Sequence, residues 1–136
     1  MIVSNKIVFS NENIYCTPIS SEHISLGWLD WINDQETTKH LATNSSITTS
    51  KVDLEKYLKE TKSIFFLACY TKEGVYFGNL RIYRIGKNSI SFGRLIGLKE
   101  LRGKGLGTKL ASLALRICFE KTDTKFVIVG NSLENK

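Results

Sequence analysis

The run Arg102-Gly103-Lys104-Gly105-Leu106-Gly107-Thr108 is where residue type and spacing come closest to a chemistry. Glycines at every second position let the backbone approach a ligand closely and turn its N–H groups toward it. An amphipathic stretch begins at Gly105. A helix starting there adds unpaired N–H groups and the positive end of its dipole. Arg102, Lys104 and Lys109 supply side-chain charge. The sum is an anion cradle, and a pyrophosphate suits it. Two familiar phosphate patterns do not fit. A Walker loop needs Ser or Thr after its lysine, whereas Lys104 is followed by Gly105; a dinucleotide fingerprint needs a third glycine where Thr108 stands.

The elements that must position this loop follow from hydrophobic periodicity. Ile2 to Phe9 and Asn13 to Ile19 read as short strands around a polar Ser10-Asn11-Glu12. A helix is expected from about Ser21 to Asn33, with Ile24, Trp28, Leu29 and Ile32 on one face. Asp34 to Thr49 is rich in Thr, Ser and Asn and reads as irregular. Ser50-x-x-Asp53 is a capping box for a second helix to about Glu60, apolar at Leu54, Tyr57 and Leu58. Ser63–Tyr70, Val75–Ile85 and Ser89–Ile96 form a meander joined by tight turns at Gly74 and Gly86. The long helix from Gly105 to about Lys121 carries Leu106, Leu110, Leu113, Ala114 and Ile117 at helical spacing. Lys125 to Val129 is a last strand, a continuous apolar run after its lysine, suited to a buried parallel position. The order β-β-α-α-β-β-β-α-β predicts a mixed α+β fold in one domain over residues 1–136, with a mostly antiparallel central sheet flanked by helices.

Composition narrows the partners. Of 136 residues, 19 are Lys or Arg and 13 are Asp or Glu, a net charge of +6 that favours an anionic ligand. Six basic and two acidic residues between Lys99 and Lys121 concentrate that excess near the glycine loop. The long helix shows only Phe119 as an aromatic, which argues against nucleic acid. No apolar run approaches the ~20 residues of a membrane helix. Cys16, Cys69 and Cys118 form no C-x-x-C, so neither a disulfide framework nor a zinc site is expected, and a cytoplasmic protein without metal fits best. His23 and His40 are the only histidines; no carboxylate is spaced to orient either, and a surface or capping role fits both. Trp28 and Trp31 are three apart on an apolar helix, so at least one belongs to the core while the other is free to line a pocket. Asp30, Asp34 and Glu36 are either a solvated acidic helix end or a site for a cationic amine. Cys118 reads as packing, with no base near it in sequence.

The pattern R-x-x-G-x-G, met by Arg102, Gly105 and Gly107, between a three-strand meander and an amphipathic helix, resembles the acyl-CoA loop of the GNAT N-acetyltransferase superfamily. The resemblance runs from the first helix to the last strand. Gly78-Asn79-Leu80-Arg81-Ile82, Phe92-Gly93-Arg94-Leu95-Ile96-Gly97 and Trp31-x-Asn33-Asp34 are similar to the subgroup of ribosomal-protein and amino-sugar acetyltransferases. The resemblance implies acetyl-CoA as cosubstrate and a primary amine, on an amino sugar or a protein N-terminus, as acceptor. It implies a pantetheine arm along Leu95, Ile96 and Gly97, with a backbone N–H near Ile96 or Gly97 polarising the thioester carbonyl. The pyrophosphate then lies on Arg102, Gly103, Lys104, Gly105, Leu106, Gly107 and Thr108, with Asn135 matching the residue that opens the family's terminal helix. Trp31, Asp34 and Glu36 border the acceptor.

Two departures accompany the resemblance. The family's general-acid tyrosine and its last helix and strand pair have no counterpart before Lys136, and the strand ahead of the loop lacks the familiar glutamate base, with Ser89, Ser91 and Arg94 as its only polar side chains. A non-catalytic acyl-CoA-binding module, or truncated remnant, is therefore the alternative to an enzyme. The apolar strand Phe126 to Val129, left as an edge, predicts a homodimer or a longer gene product.

Overall fold

A computed structural model describes residues 7–34, 49–98, 101, 105–123 and 126–127. Among the described residues six strands form one sheet in sequence order: β1 (Phe9–Ser10), β2 (Ile14–Pro18), β3 (Phe65–Thr71), β4 (Tyr76–Arg84), β5 (Ser89–Ile96) and β6 (Phe126–Val127). Neighbours from β1 to β5 are antiparallel, and β6 runs parallel to β5 with Ser89 opposite Phe126. The expected element order and mixed class are those of the structure.

Local chemistry explains the turns. The Asn11 side-chain oxygen accepts from the N–H groups of Asn13 (2.8 Å) and Ile14 (2.9 Å), so the first reversal turns on Asn11, with Ser10 still in β1. Gly74 supplies the left-handed φ of +91° that closes β3 onto β4. Between them the ladder shifts register at Cys69/Tyr70, a bulge that places Phe77 and Gly78 opposite Cys69.

Among the described residues three helices flank the sheet. The first, α1, differs from the regular helix expected over Ser21–Asn33: Ile24–Trp28 is a π-helical turn, kinked at Gly27, that runs into α-helical Leu29–Asn33. The Trp31 ring packs against the kink. A Cβ on Gly27 would stand 2.7 Å from the Trp31 ring, so only glycine allows that ring beneath the turn. The second, α2 (Lys51–Glu60), starts as expected, with the Ser50 hydroxyl taking the Asp53 N–H and the Asp53 carboxylate taking the Ser50 N–H. The third, α3, spans Leu106–Lys121.

Adjacent residues of β4 place the layers, because strand side chains alternate between faces. Leu80 and Ile82 join Leu110, Leu113, Ala114, Ile117 and Cys118 of α3 in the main core. Asn79 and Arg81 face α1 and α2, whose Ile24, Trp28 and Leu54 form a second apolar cluster, with Trp31, Ala68 and Tyr76 beside it. The three thiols are free and buried; Cys118 is packing, and burial pushes its thiol up. No helix among the described residues is long and apolar enough to cross a membrane.

Candidate functional site

Gly105 caps α3 in the left-handed conformation, φ +78°, which an L side chain rarely adopts, and its carbonyl accepts the first helical bond from the Lys109 N–H at 3.0 Å. The N–H groups of Leu106, Gly107 and Thr108 have no partner within the helix and point out of its N-terminus. A Cβ on Gly107 would lie 3.3 Å from the Ile96 side chain and 4.0 Å from Arg94 Nε. The helix start is thus seated on the end of β5. Leu95, Ile96 and Gly97 and the described half of the cradle, Gly105 to Thr108, are brought together, with the Arg94 cation beside them. Arg102, Gly103, Lys104, Glu36 and Asn135 lie outside the described residues.

The end of β5 is shaped by close backbone approaches. The Gly97 N–H donates to the Phe77 carbonyl at 2.8 Å. Antiparallel alternation therefore turns the Ile96 peptide away from β4, toward the side on which β6 runs. A Cβ on Gly97 would stand 1.9 Å from Trp31 Cδ2, and one on Gly78 would stand 2.1 Å from the Leu95 carbonyl oxygen. Trp31 is 6% exposed and lies beneath Gly97, supporting the strand end. Asp34 is half-buried at the end of α1, where its N–H donates to the Trp31 carbonyl, and Asp30 is exposed.

Across the sheet from α3, a cleft of about 490 Å³ opens between α1, α2 and the strands β4 and β5. Trp28, Tyr57 and Phe66 wall it, edge to face at 5.6 to 6.3 Å. Asn79, Arg81 and Tyr83 of β4 form its floor, and Gly93 leaves open space where a side chain would stand. Arg81 is fixed by Nε to Ser63 Oγ at 2.8 Å, by Nη2 to the Lys62 carbonyl at 2.9 Å, and by stacking 4.4 Å over the Tyr83 ring. The Asn79 oxygen accepts from the Tyr76 hydroxyl. Asp53 also lines the cleft, but its carboxylate is committed to the Ser50 N–H, which holds it below the usual carboxylate range. At one rim the Asn33 amide grips both backbone groups of Thr49, each at 2.8 Å, and so joins the end of α1 to the approach of α2.

His23 is fully buried, unlike the surface placement open to it in sequence; it stands at the N-cap of α1 without a side-chain cap bond, and its Nδ1 accepts the Ser20 N–H at 3.0 Å. Its Nε2 therefore carries the hydrogen and donates to the Tyr70 hydroxyl at 2.8 Å. Desolvation pushes the His23 pKa down and those of Tyr70 and Tyr76 up. His40 lies outside the described residues. Among the described residues no cluster of His, Cys, Asp or Glu could hold a metal ion. The cleft floor escaped sequence reasoning although a signal existed: Asn79, Arg81 and Tyr83 alternate with buried Leu80 and Ile82 along a central strand, which puts polar groups on one interior face.

Residues 26–135 match the acetyltransferase (GNAT) family model, and the chain belongs to that family. No curated protein sequence matches it. Among solved structures it is similar to a GNAT-family acetyltransferase from Bacillus anthracis, at 12% identity and TM-score 0.77 over 93% of this chain and 75% of that one. A spermidine N-acetyltransferase from Vibrio cholerae, in complex with CoA and spermine, is similar at 17% identity and TM-score 0.77 over 92% and 75%. An aminoglycoside acetyltransferase in complex with coenzyme A and kanamycin is similar at 14% identity and TM-score 0.74 over 90% and 76%. At these identities the likeness is one of fold.

Proposed function

We propose that the protein is an N-acetyltransferase that moves acetyl from acetyl-CoA directly to a primary amine, on an amino sugar or a protein N-terminus. The observation that carries this reading is the seating of the α3 N-terminus on Ile96, which puts helix N–H groups, the Arg94 cation and the end of β5 in one place, with a cleft on the other face of the same strand. The cradle from Arg102 to Thr108 takes the pyrophosphate, and the arm follows Leu95 to Gly97. A backbone N–H near Ile96 or Gly97 polarises the thioester carbonyl. The amine enters from the cleft past Gly93, its nitrogen lone pair attacks the acetyl carbon, and the C–S bond breaks as the amine proton leaves and the thiolate gains one.

One observation favours the alternative of a non-catalytic acyl-CoA-binding module. Tyr76, the tyrosine against Trp31 beneath Gly97, is buried with its hydroxyl given to Asn79, and its pKa is pushed up, so it is poorly placed to shuttle a proton. Calorimetry and a thiol-release assay separate the two. Acetyl-CoA should bind, and Arg102→Ala or Gly105→Asp should weaken binding about tenfold or more, through loss of a charged contact or the insertion of a side-chain negative charge. Binding without thiol release across an amine panel selects the module; no binding of acetyl-CoA or CoA removes both.

A further inference from the structure

We propose that the cleft over β4 selects acceptors that carry, besides the amine, an anionic group, a carboxylate or a phosphate, held by Arg81. Calling that ligand the acceptor rests on the acetyl-transfer reading; the binding itself does not.

Arg81 has the properties of an anchor. Its Nε and Nη2 are bonded to two neutral oxygens, Ser63 Oγ and the Lys62 carbonyl, and its plane lies over Tyr83. The guanidinium is thus held in one orientation and keeps its full charge, with Nη1 left to donate. No carboxylate among the described residues pairs with it. The one described acid lining the cleft, Asp53, already serves the α2 cap. A half-buried cation without a counter-ion is an electrostatic deficit that an arriving anion corrects, and a pre-fixed fork loses little entropy in doing so. Asn79 reinforces the preference: its oxygen is taken by Tyr76, so what it offers a ligand is its NH2. Arg81 and the Asn79 NH2 make the floor predominantly a donor.

Geometry sets the ligand's length. Arg81 is paired with Gly93 of β5, and the strand end lies two to four residues further on, at Leu95 to Gly97. The guanidinium lies over Tyr83, farther still from that end, so at about 3.3 Å per residue anion and amine stand at least about 7 Å apart. An α-amino acid is too short for that span; a phosphorylated amino sugar or an ω-amino acid reaches it. The walls of Trp28, Tyr57 and Phe66 suit the apolar face of the body in between. The same floor charge disfavours polycations, so the chemistry expected differs from that of the spermine and kanamycin held by the similar structures.

The test is direct binding, read by calorimetry and by Trp fluorescence from the cleft wall. Matched probes are glucosamine 6-phosphate against glucosamine, 6-aminohexanoate against hexylamine, and spermidine. The anionic member of at least one pair should bind about tenfold or more tightly than its partner, and whichever pair shows the larger gap identifies phosphate or carboxylate as the group. Arg81→Gln should abolish the gap. Arg81→Lys, which keeps the charge and loses the fork, should retain part of it; a merely structural Arg81 would not produce that charge-dependent order. Equal affinities within both pairs, or tightest binding of spermidine, would overturn the inference. Acetyl-CoA titrated separately keeps the two questions apart: an intact anionic preference without acetyl-CoA binding removes the acetyl-transfer reading and leaves this one standing.

Discussion

Trp31 shows how a single residue's role depends on what its neighbours lack. Its ring is accommodated by Gly27 on its own helix and Gly97 after β5, and a Cβ at either position would stand closer than real contacts allow. An aromatic residue placed in sequence beside the acceptor thus lies under the strand end, while Trp28 serves both core and cleft. Gly97→Ala should accordingly lower folding stability by about 3 kcal/mol, measured by urea unfolding, because the Trp31 ring must move or the backbone must shift. Combining it with Trp31→Leu should recover part of the loss. Full additivity of the two changes would mean that the ring and Gly97 do not interact. Arg81 makes the complementary point: its type was plain in the sequence, but the partners that aim it, Ser63 and Lys62, are 18 and 19 residues away on the approach to another strand.

At the scale of elements, legibility followed local chemistry. The capping box of α2 was readable because all its atoms lie within four residues, and both of its bonds form. Ser50→Ala should cost about 1 kcal/mol and remove the smaller of the two Ser50 contacts that lower the Asp53 pKa, while the backbone N–H keeps the larger, observable as a lower urea midpoint and a partial rise in the Asp53 pKa. An unchanged midpoint would mean that packing of Leu54 alone holds the helix start. The meander and α3 were equally legible from alternation and from the apolar repeat that ends in Cys118. The first helix was not. Its apolar spacing fits a regular α-helix, yet it holds a π turn and a kink at Gly27, where the Trp31 ring packs too close for a side chain, and periodicity does not record either. The polar face of β4 lay between these cases: alternation marked it, but the burial that makes it a cleft floor requires α1 and α2 to be in place.

At the scale of the whole molecule, two apolar cores sit on opposite faces of one sheet, and His23 ties the smaller side together, linking the Ser20 backbone after β2 to Tyr70 on β3. Protonation must break the bond from the Ser20 N–H, and burial lowers the native pKa below the ordinary value of 6.5. The unfolded chain then binds the proton more readily than the native one. This contribution to stability is therefore complete above about pH 6.5 and is lost as pH falls from there toward the lowered native value, with a slope of at most about 1.4 kcal/mol per pH unit. Urea unfolding between pH 5 and 8 should show this decline, and His23→Gln should remove it. A variant with the same pH dependence would place the titration elsewhere.

Chain order, the helix and strand periods and the glycine loop were determined by sequence alone, because each depends on residues close together in the chain. So was the net charge of +6, whose excess gathers near the loop. Only the tertiary structure decided that α3 begins on Ile96, that Trp31 lies beneath Gly97, and that Arg81 is an oriented cation under an aromatic wall with no carboxylate partner among the described residues. Those are contacts between residues distant in sequence. They exist because two helices and a long α3 pack on opposite faces of one twisted sheet, and no local pattern encodes which side chains meet when layers close.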